Sequence, residues 1–384
     1  MFNIAVLNKI SEIGLNRFTN YHEIVDDIDK AHGLLLRSQD INQMIFPPNL
    51  LAIARAGAGV NNIPLDKCSD KGIVVFNTPG ANANAVKELV LCALLLGARN
   101  IPSALAWAKN LKEDVAKAVE KGKSQFAGNE IKGKTLGVIG LGAIGVMVAN
   151  AATYLGMKVI GYDPYISLRS AHILSYEVDV ADSLQDIIPR CDFISIHIPV
   201  MDSTKGMIDE KCIDMMKENC ILLNFSRDKI VDEEALVKTL EKEGNRRYIT
   251  DFPNETVMNC DKVITVPHLG ASTAESEDNC AMMAVEQMTD YIENGNITNS
   301  VNFPGASLGV KTDDTRVTFM HSNVSTAIGE ITGIMDKLGV KITNMVSTSK
   351  GDRAYTMLDI DGRVKAEDIK KMISDDIISV RVLD

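Results

Sequence analysis

Residues 133–145 read GKTLGVIGLGAIG, a short apolar run followed by three glycines spaced as G-x-G-x-x-G. The run Thr135–Ile139 predicts a strand, and the residues after the glycines predict a helix that ends near Leu155. In such a turn the first glycine permits a tight bend. The second lets the backbone approach a pyrophosphate, and the third lets the helix pack closely on the strand. This stretch therefore predicts a dinucleotide-binding α/β unit.

The next predicted strand ends at Asp163, eighteen residues after the last glycine of the loop. A carboxylate there can bind both ribose hydroxyls and repels a 2′-phosphate, and no arginine follows it directly. We therefore expect NAD as the cofactor, in preference to NADP. The alternative is a purely structural glycine turn with Asp163 as a surface acid. The loop residues predicted to bind the cofactor are Gly140, Gly142, Ala143, Ile144 and Gly145.

Working outward from the loop, apolar runs alternate with helical patterns on both sides of it, which predicts parallel sheets covered by helices. Ile101–Lys121 is predicted as one helix, and Ser272–Glu293 as a long helix that crosses back to the first sheet. The fold class is α/β, with two doubly wound parallel-sheet (Rossmann/flavodoxin-like) lobes and a cleft between them. The predicted domains are a substrate-binding lobe (1–94, completed by 285–305), an NAD-binding Rossmann domain (95–284), a linker (306–314) and a C-terminal domain (315–384).

The C-terminal residues 315–384 have a different pattern, with strands and helices in the order β-α-β-β-α-β. That order is typical of a ferredoxin-like fold.

Composition excludes several classes of function. The 384 residues carry 40 Lys and Arg against 51 Asp and Glu, a net charge of −11, which argues against a nucleic-acid surface. No apolar stretch is long enough to span a membrane. The start of the chain lacks the pattern of a signal peptide, and the seven cysteines form no C-x-x-C pair. We therefore expect a cytoplasmic protein with reduced thiols and no metal site.

Three later residues follow or adjoin predicted strand ends: Arg227, Glu255 and His268. Such strand ends meet at one edge of an open parallel sheet. The set suits oxidation of a 2-hydroxy acid, because histidine can take the hydroxyl proton, a carboxylate can orient the ring, and arginine can bind the substrate carboxylate. Each also has an ordinary alternative: a surface ion pair for Arg227, a solvated acid for Glu255, and a hydrogen-bonded buried histidine for His268.

The chain resembles the D-isomer-specific 2-hydroxyacid dehydrogenases, and most closely the phosphoglycerate dehydrogenase branch of that family. The segments that carry the resemblance are RAGAGVNNIPL (55–65), NTPGANANAVKEL (77–89), GKTLGVIGLGAIG (133–145), CDFISIHIPV (191–200), NFSRDKIVDEEAL (224–236) and PHLGASTAES (267–276). Residues 315–384 resemble an ACT domain, a small regulatory module that binds amino acids.

The resemblance implies a role for each matching position. His268 is the acid/base, Glu255 is its partner, and Arg227 orients the substrate. The implied sites add cofactor contacts at Ser226, Asp251 and Gly270, a substrate carboxylate site at Ala56 and Gly57, phosphate-binding candidates at Arg37 and Arg55, and an ACT ligand site at His321 and Asn323.

The implied activity is oxidation of D-3-phosphoglycerate to 3-phosphooxypyruvate with NAD, in a homodimer or homotetramer. Two alternatives stay open: reduction of another 2-oxo acid (glyoxylate, hydroxypyruvate or 2-oxoglutarate), and a non-catalytic NAD sensor. The sequence also departs from the family. Asp228 replaces the usual glycine after Arg227, and the segment 250–256 is altered. Lys341 and the Ser325-Thr326 turn argue against serine binding at the ACT domain.

Overall fold

The computed structural model describes residues 1–242, 244–312 and 314–383. The strands are β1 (Phe2–Val6), β2 (His22–Val25), β3 (Gly33–Leu36), β4 (Ala52–Arg55), β5 (Val74–Phe76), β6 (Thr135–Ile139), β7 (Lys158–Tyr162), β8 (Val178–Val180), β9 (Phe193–Ile196), β10 (Ile221–Asn224), β11 (Arg247–Thr250), β12 (Val263–Thr265), β13 (Thr315–Ser322), β14 (Lys341–Lys350), β15 (Arg353–Asp361) and β16 (Ile377–Leu383). The α-helices are α1 (Glu12–Leu15), α2 (Leu65–Asp70), α3 (Ala83–Ala98), α4 (Ile101–Lys109), α5 (Val115–Gly122), α6 (Ala143–Tyr154), α7 (Leu168–Ile173), α8 (Leu184–Ile187), α9 (Glu210–Met215), α10 (Glu233–Glu241), α11 (Glu255–Met258), α12 (Ala274–Asn294), α13 (Ala327–Lys337) and α14 (Ala366–Lys370).

The chain divides into two compact units. Unit 1 comprises Met1–Ala81 and Ala274–Asp384, and unit 2 comprises Asn82–Thr273. The boundaries expected from the sequence, after residues 94 and 284, differ from these. Helix α3 belongs to unit 2 because it packs on α6, β10 and β11; a Cβ on Gly97 would lie 2.7 Å from the Ile249 side chain. An apolar helical pattern does not reveal which sheet the helix will cover.

Unit 2 is built on a seven-stranded sheet in the order β12-β11-β10-β9-β6-β7-β8, with all neighbours parallel. Apolar clusters cover both of its faces, which explains the continuous apolar runs of its central strands. The chain enters at β6 and later returns to β9 beside it, so the strand order reverses between these two. In open α/β sheets ligands bind at such a point, beyond the carboxyl ends of the strands.

Unit 1 contains a five-stranded sheet in the order β2-β1-β3-β4-β5, also parallel. Helix α12 packs against this sheet and against α1. Helices α1 and α12 pack closely at Gly14, because a Cβ atom on this residue would lie 2.5 Å from the Cβ atom of Ala281. The two parallel sheets confirm the α/β class and the doubly wound lobes expected from the sequence.

The rest of unit 1 is a four-stranded antiparallel sheet in the order β14-β15-β13-β16. Helices α13 and α14 lie between its strands in the order β-α-β-β-α-β, and their apolar residues cover one face. On this sheet Met320, Tyr355 and Met357 join the apolar cluster that contains Ile4 of β1 and Tyr291 of α12. The antiparallel sheet therefore shares a core with the parallel sheet of unit 1.

The expectation of one helix over Ile101–Lys121 is wrong, because the structure has two shorter helices, α4 and α5, in that region. The side chain of Asn110 bonds back to the carbonyl of Ala106 and ends α4. Asp114, just before α5, has a left-handed conformation with φ of 44°, which a continuous helix does not accommodate.

No single described helix has the length and apolar character to cross a membrane; α3 and α4 meet that test only as a pair bent by 69°.

Candidate active site

The glycine loop after β6 has the geometry expected of a dinucleotide-binding turn. Gly140 has φ of 93°, and a Cβ there would lie 2.5 Å from the carbonyl oxygen of His197. A Cβ on Gly145 would lie 1.8 Å from the carbonyl oxygen of Gly140, so only glycine permits the close approach of helix and strand. A Cβ on Gly142, by contrast, would meet nothing within 4 Å. That open position leaves room for a group outside the chain.

The N-terminus of α6 opens directly from this loop. Gly142 caps the helix without a side-chain hydrogen bond, and both Gly142 and Ala143 are exposed. The first backbone N–H groups of a helix lack intrahelical partners and carry partial positive charge. This end of α6, together with Ile144 and Gly145 in its first turn, thus offers what a pyrophosphate requires.

Asp163, just after β7, is fixed against the glycine loop. Its Oδ2 accepts the N–H of Leu141 at 2.8 Å, and its Oδ1 accepts the N–H of Tyr165 at 2.8 Å. A carboxylate oxygen has further acceptor capacity beyond one such bond. The acid and the glycine loop predicted from the sequence therefore lie together in the structure.

A cleft of about 310 Å³ opens beside the same edge of the sheet. It is lined in part by Ile144, Ser226 and Arg227, which the sequence assigned to the cofactor and to catalysis. The Ser226 hydroxyl is not free, because it donates to the carbonyl of Ile198. The cleft thus brings the start of α6 together with the segment that follows β10.

His197 also lines this cleft and was missed in the sequence analysis. Burial lowers the pKa of its ring to about 3, so the ring is neutral. Nε2 lies 2.8 Å from the Ser195 hydroxyl, while the buried Nδ1 has no hydrogen-bond partner among the described residues. The signal in the sequence is a histidine placed directly after β9, whose four residues are all buried.

His268 follows β12, and its Nδ1 lies 3.3 Å from Oδ2 of Asp251. Asp251 is 1% exposed, whereas the His268 side chain is 59% exposed. The hydrogen bond to Asp251 raises the pKa of His268; burial and the positive charge of Arg227 act in the opposite direction. Gly270 lies close by, since a Cβ there would be 3.6 Å from the same carboxylate oxygen.

The carboxylate beside His268 is therefore that of Asp251, and the expected pairing with Glu255 is not the one that the structure has. Glu255 begins the short helix α11 and is exposed. Its carboxylate makes no hydrogen bond or ion pair with any described residue. Glu255 lies five residues after the end of β11, at the exposed start of helix α11. Asp251 directly follows the strand, and its carboxylate is therefore the one that reaches His268.

Arg227 is exposed after β10, and its guanidinium donates to the carbonyl of Ser226 at 2.6 Å. Its positive charge lowers the pKa of His268, in opposition to the hydrogen bond with Asp251. Asp228, the unusual residue that follows, begins a short 3-10 turn. Its charge acts on Glu233, whose pKa is raised first by burial and further by Asp228.

A buried polar network supports these segments from behind. The Tyr248 hydroxyl lies 3.1 Å from Oε1 of Glu233 and accepts from Asn224 at 3.1 Å. Asn224 also donates to the carbonyl of Arg227 at 2.9 Å. The other Glu233 oxygen accepts from Asn254, which caps α11. One carboxylate thereby links the Arg227 segment to the segment before Glu255.

In unit 1 the predicted phosphate-binding candidates lie at the carboxyl edge of the five-stranded sheet. Arg37 directly follows β3 and pairs with Glu277 at 2.6 Å. Arg55 ends β4 and donates to the carbonyls of Arg37 at 2.9 Å and Gly59 at 2.7 Å. Both arginines therefore lie at the same edge of this sheet, and each already has partners within unit 1.

The backbone N–H groups of Ala56 and Gly57 were expected to face the substrate carboxylate, but both are used internally. Ala56 donates to the carbonyl of Leu36 at 2.8 Å, and Gly57 donates to that of Arg55 at 2.9 Å. This expectation is wrong because the loop extends the pairing of β3 with β4 by one residue before it turns.

The next two residues of the loop, Ala58 and Gly59, differ from Ala56 and Gly57 in the hydrogen bonding of their N–H groups. The carbonyls of Gly57, Ala58 and Gly59 accept from Thr78, Asn77 and Arg55 respectively. The N–H groups of Ala58 and Gly59 have no hydrogen-bond acceptor in the part of the chain that the structure describes. With the carbonyls tied back, these two N–H groups are the donors that a carboxylate can use.

The two residues predicted as an ACT ligand site are held within the antiparallel sheet. His321 is buried, with Nε2 2.9 Å from the Thr356 hydroxyl and Nδ1 2.8 Å from the carbonyl of Ser322. The Asn323 side chain donates to the carbonyl of Gly351 at 3.0 Å. Both side chains thus stabilise the sheet in this structure.

No group of three or more metal-binding side chains occurs among the described residues.

The chain is similar to known proteins over most of its length. A family model described as the D-isomer specific 2-hydroxyacid dehydrogenase NAD-binding domain matches residues 92–270. The D-3-phosphoglycerate dehydrogenase of Methanocaldococcus jannaschii is 35% identical over 321 residues, which are 80% of this chain and 59% of the relative. That of Homo sapiens is 34% identical over 289 residues, 73% of this chain and 52% of the relative. The chain therefore spans little more than half the length of these relatives.

Among solved structures, the NAD⁺-bound 3-phosphoglycerate dehydrogenase of Entamoeba histolytica is 28% identical, with a TM-score of 0.62 over 78% of this chain and 98% of that one. An NADPH-dependent glyoxylate/hydroxypyruvate reductase of Sinorhizobium meliloti, 20% identical with a TM-score of 0.66 over 78% of this chain and 98% of that one, shares the fold. With its glycine loop, Asp163 and these likenesses, residues 92–270 form an NAD-binding domain of the D-isomer-specific 2-hydroxyacid dehydrogenase family.

Proposed function

We propose that the protein oxidises D-3-phosphoglycerate to 3-phosphooxypyruvate with NAD, the first step of serine synthesis. The observation that carries this proposal is the contact of His268 with a buried carboxylate, in the unit that also holds Arg227 and the dinucleotide loop. The names of the relatives from Methanocaldococcus jannaschii, Homo sapiens and Entamoeba histolytica support the choice of substrate.

The fit to NAD rests on the open position at Gly142, the start of α6 without a side-chain hydrogen bond to its N–H groups, and the fixed carboxylate of Asp163. Bound NAD supplies the acceptor for the hydride. Asp251 contributes a further contact, because its buried Oδ1 has no partner among the described residues while Oδ2 faces His268. We assign Oδ1 to the carboxamide of the nicotinamide ring, which keeps Asp251 as a cofactor residue in addition to its contact with His268.

In the proposed mechanism Nδ1–H of His268 donates to Asp251, which leaves the Nε2 lone pair to take the hydroxyl proton of the substrate. The hydrogen bond to Asp251 stabilises the imidazolium that results. Arg227 binds and polarises the oxygen of the carbonyl that forms. Within unit 1, we propose the N–H groups of Ala58 and Gly59 as donors to a carboxylate, and Arg37 and Arg55 as phosphate-binding residues.

Reduction of an unphosphorylated 2-oxo acid is the second candidate, favoured by one specific observation. The pairing of Arg37 with Glu277 removes net positive charge where a phosphate would bind. A non-catalytic NAD sensor is a weaker reading, because sensing needs neither Arg227 nor the contact of His268 with Asp251.

We also propose that residues 315–384 form an ACT-like regulatory module, supported by the β-α-β-β-α-β order and the strand order β14-β15-β13-β16. Assembly as a homodimer or homotetramer is likewise a proposal. The internal bonds of His321 and Asn323 imply that an amino-acid effector would have to displace contacts of the sheet.

The test measures NADH formation from 3-phosphoglycerate and NAD at alkaline pH, with the oxo product trapped and 2-hydroxyglutarate assayed in parallel. We expect turnover of the phosphorylated acid, and loss of at least 100-fold in H268A. Turnover of 2-hydroxyglutarate alone would favour the second candidate. No turnover of either acid, with NADH still bound by the protein, would support the sensor.

A further inference from the structure

We infer that Glu277 is a specificity-determining residue, which lowers the affinity of the substrate site for phosphorylated acids by occupying Arg37. The inference rests on the proposed function, because it concerns the phosphate end of the same site. Glu277 is an anion beside the two arginines. The carboxylate of Glu277 and the phosphate of a substrate would then compete for the guanidinium group of Arg37.

The geometry places this pair where a ligand of the unit 1 sheet would bind. Arg37 is the first residue after β3, and Glu277 lies in the first turn of α12. One guanidinium nitrogen of Arg37 is 2.6 Å from Oε1 of Glu277. The carboxyl edge of a parallel sheet is where open α/β folds bind their ligands. Glu277 is therefore an anion already present at that edge.

The backbone around Arg37 is fixed, so its side chain is the part that can change partners. Oδ1 of Asn8 accepts the N–H groups of Arg37, Ser38 and Gln39, at distances of 2.9–3.1 Å. The Arg37 carbonyl in turn accepts from Arg55 at 2.9 Å. These bonds hold the main chain but leave the guanidinium of Arg37 in contact with Glu277.

The pair is weak enough for a substrate to open. The side chains of Arg37 and Glu277 are 36% and 50% exposed, and exposed ion pairs contribute little to stability because water screens them. A phosphate dianion carries more charge than a carboxylate and can accept two parallel bonds from one guanidinium. A phosphorylated acid can thus displace Glu277, at the cost of the pair and of repulsion from the displaced carboxylate.

The experiment compares E277Q with E286Q, a matched control on the same helix. Glu286 also pairs with an arginine, Arg17, at 2.6 Å, and both of those side chains are about half exposed. Inorganic phosphate is the probe, titrated by thermal shift and as a competitor of 3-phosphoglycerate. We expect E277Q to bind phosphate about three- to fivefold more tightly than the wild type, which is the scale of one exposed ion pair, and E286Q to match the wild type.

The same ratio should appear in KM for 3-phosphoglycerate, with KM for 2-hydroxyglutarate changed less than twofold. Combining E277Q with R37A should abolish the gain, which assigns it to this arginine and excludes phosphate bound at the cofactor loop. Unchanged phosphate affinity in E277Q, or a gain that persists without Arg37, would overturn the inference.

The two failures can be told apart. If the wild type oxidises 3-phosphoglycerate and E277Q behaves as the wild type, the proposed function stands and the role of Glu277 is refuted. If no variant oxidises 3-phosphoglycerate, the proposed function fails, and the phosphate titration still decides whether Glu277 competes for Arg37. Weaker phosphate binding in E277Q would also refute the inference, because it would make Glu277 a residue that positions Arg37.

Discussion

Asp251 presents one carboxylate oxygen to His268, at 3.3 Å from Nδ1, and keeps the other buried without a hydrogen-bond partner among the described residues. A single residue thus occupies both positions that the sequence analysis had divided between Asp251 and Glu255. Because Asp251 is almost completely buried, its charge acts on the imidazole with little screening by water. Glu255, at the exposed start of α11, lacks that advantage.

The first prediction concerns the identity of the orienting acid. D251N should lower kcat for oxidation about 100-fold or more, because the amide neither stabilises the imidazolium nor fixes the tautomer of the ring. E255Q should lower kcat by less than tenfold. Steady-state kinetics of the two variants side by side test this order, and the reverse order would restore Glu255 as the partner.

The pH dependence of activity and stability should follow from the same contact. Oxidation needs neutral His268, so the raised pKa moves the acid limb of kcat/KM to higher pH, and D251N should move it back. A pKa raised in the folded state contributes stability that is complete below the unfolded value, about 6.5, and is lost as pH rises through the folded value.

The thermal midpoint of D251N relative to the wild type should therefore be lowest below about pH 6 and recover as the pH rises through the folded pKa of His268. Histidine NMR titration of both proteins measures the pKa directly. If the pKa of His268 were the same in D251N and in the wild type, Asp251 would not be the residue that raises it.

Substitutions at two glycines of the loop should have different effects, one on NADH binding and the other on stability. A Cβ on Gly142 meets nothing within 4 Å, so G142A should fold with wild-type stability and bind NADH at least tenfold more weakly, because the methyl group takes the space of the pyrophosphate. G145A should destabilise the protein by about 1–3 kcal/mol, since its Cβ would lie 1.8 Å from the Gly140 carbonyl oxygen. Fluorescence titration with NADH and thermal melts distinguish the two effects.

The buried network of Tyr248, Glu233 and Asn224 should affect catalysis only by holding Arg227 in place. Y248F removes the hydroxyl that bonds both Glu233 and Asn224, and a buried polar group left without a partner costs about 1–3 kcal/mol. Because Asn224 also holds the Arg227 carbonyl, we expect KM to rise along with the loss of stability. Y154F, which alters an exposed tyrosine of the same unit, should change neither quantity.

How far the sequence predicts this protein depends on whether a feature is local. The bounds of β6 are predicted to the residue, because this strand is a short apolar run closed by the glycine turn. The glycine loop and Asp163 are likewise local. The partner of His268 depends on where α11 begins. The course of the loop at Ala58 depends on the contacts of Gly57 and Ala58 with Thr78 and Asn77, about twenty positions away. Such features become visible only in the folded chain.

The final prediction concerns the clamp between the antiparallel sheet and the end of α12. Arg316 forms two hydrogen bonds with Asp359, at 2.7 and 3.1 Å, and both side chains are buried. The same guanidinium donates to the carbonyls of Asn294 and Gly309 at 2.8 Å. D359N leaves a buried positive charge without its counterion, so we expect a loss of about 3–5 kcal/mol in the free energy of unfolding.

Urea unfolding followed by circular dichroism measures this loss, with E286Q as the control. That variant breaks an exposed ion pair and should cost about 1 kcal/mol or less. Replacing both residues, as R316M/D359L, removes the charges together and should recover much of the stability lost in D359N, because a buried pair can be exchanged for apolar side chains at little cost. If D359N were as stable as the wild type, the pair of Arg316 with Asp359 would contribute nothing. The shared apolar core and the bonds from Arg381 and Tyr355 to the end of α12 would then hold the antiparallel sheet in place.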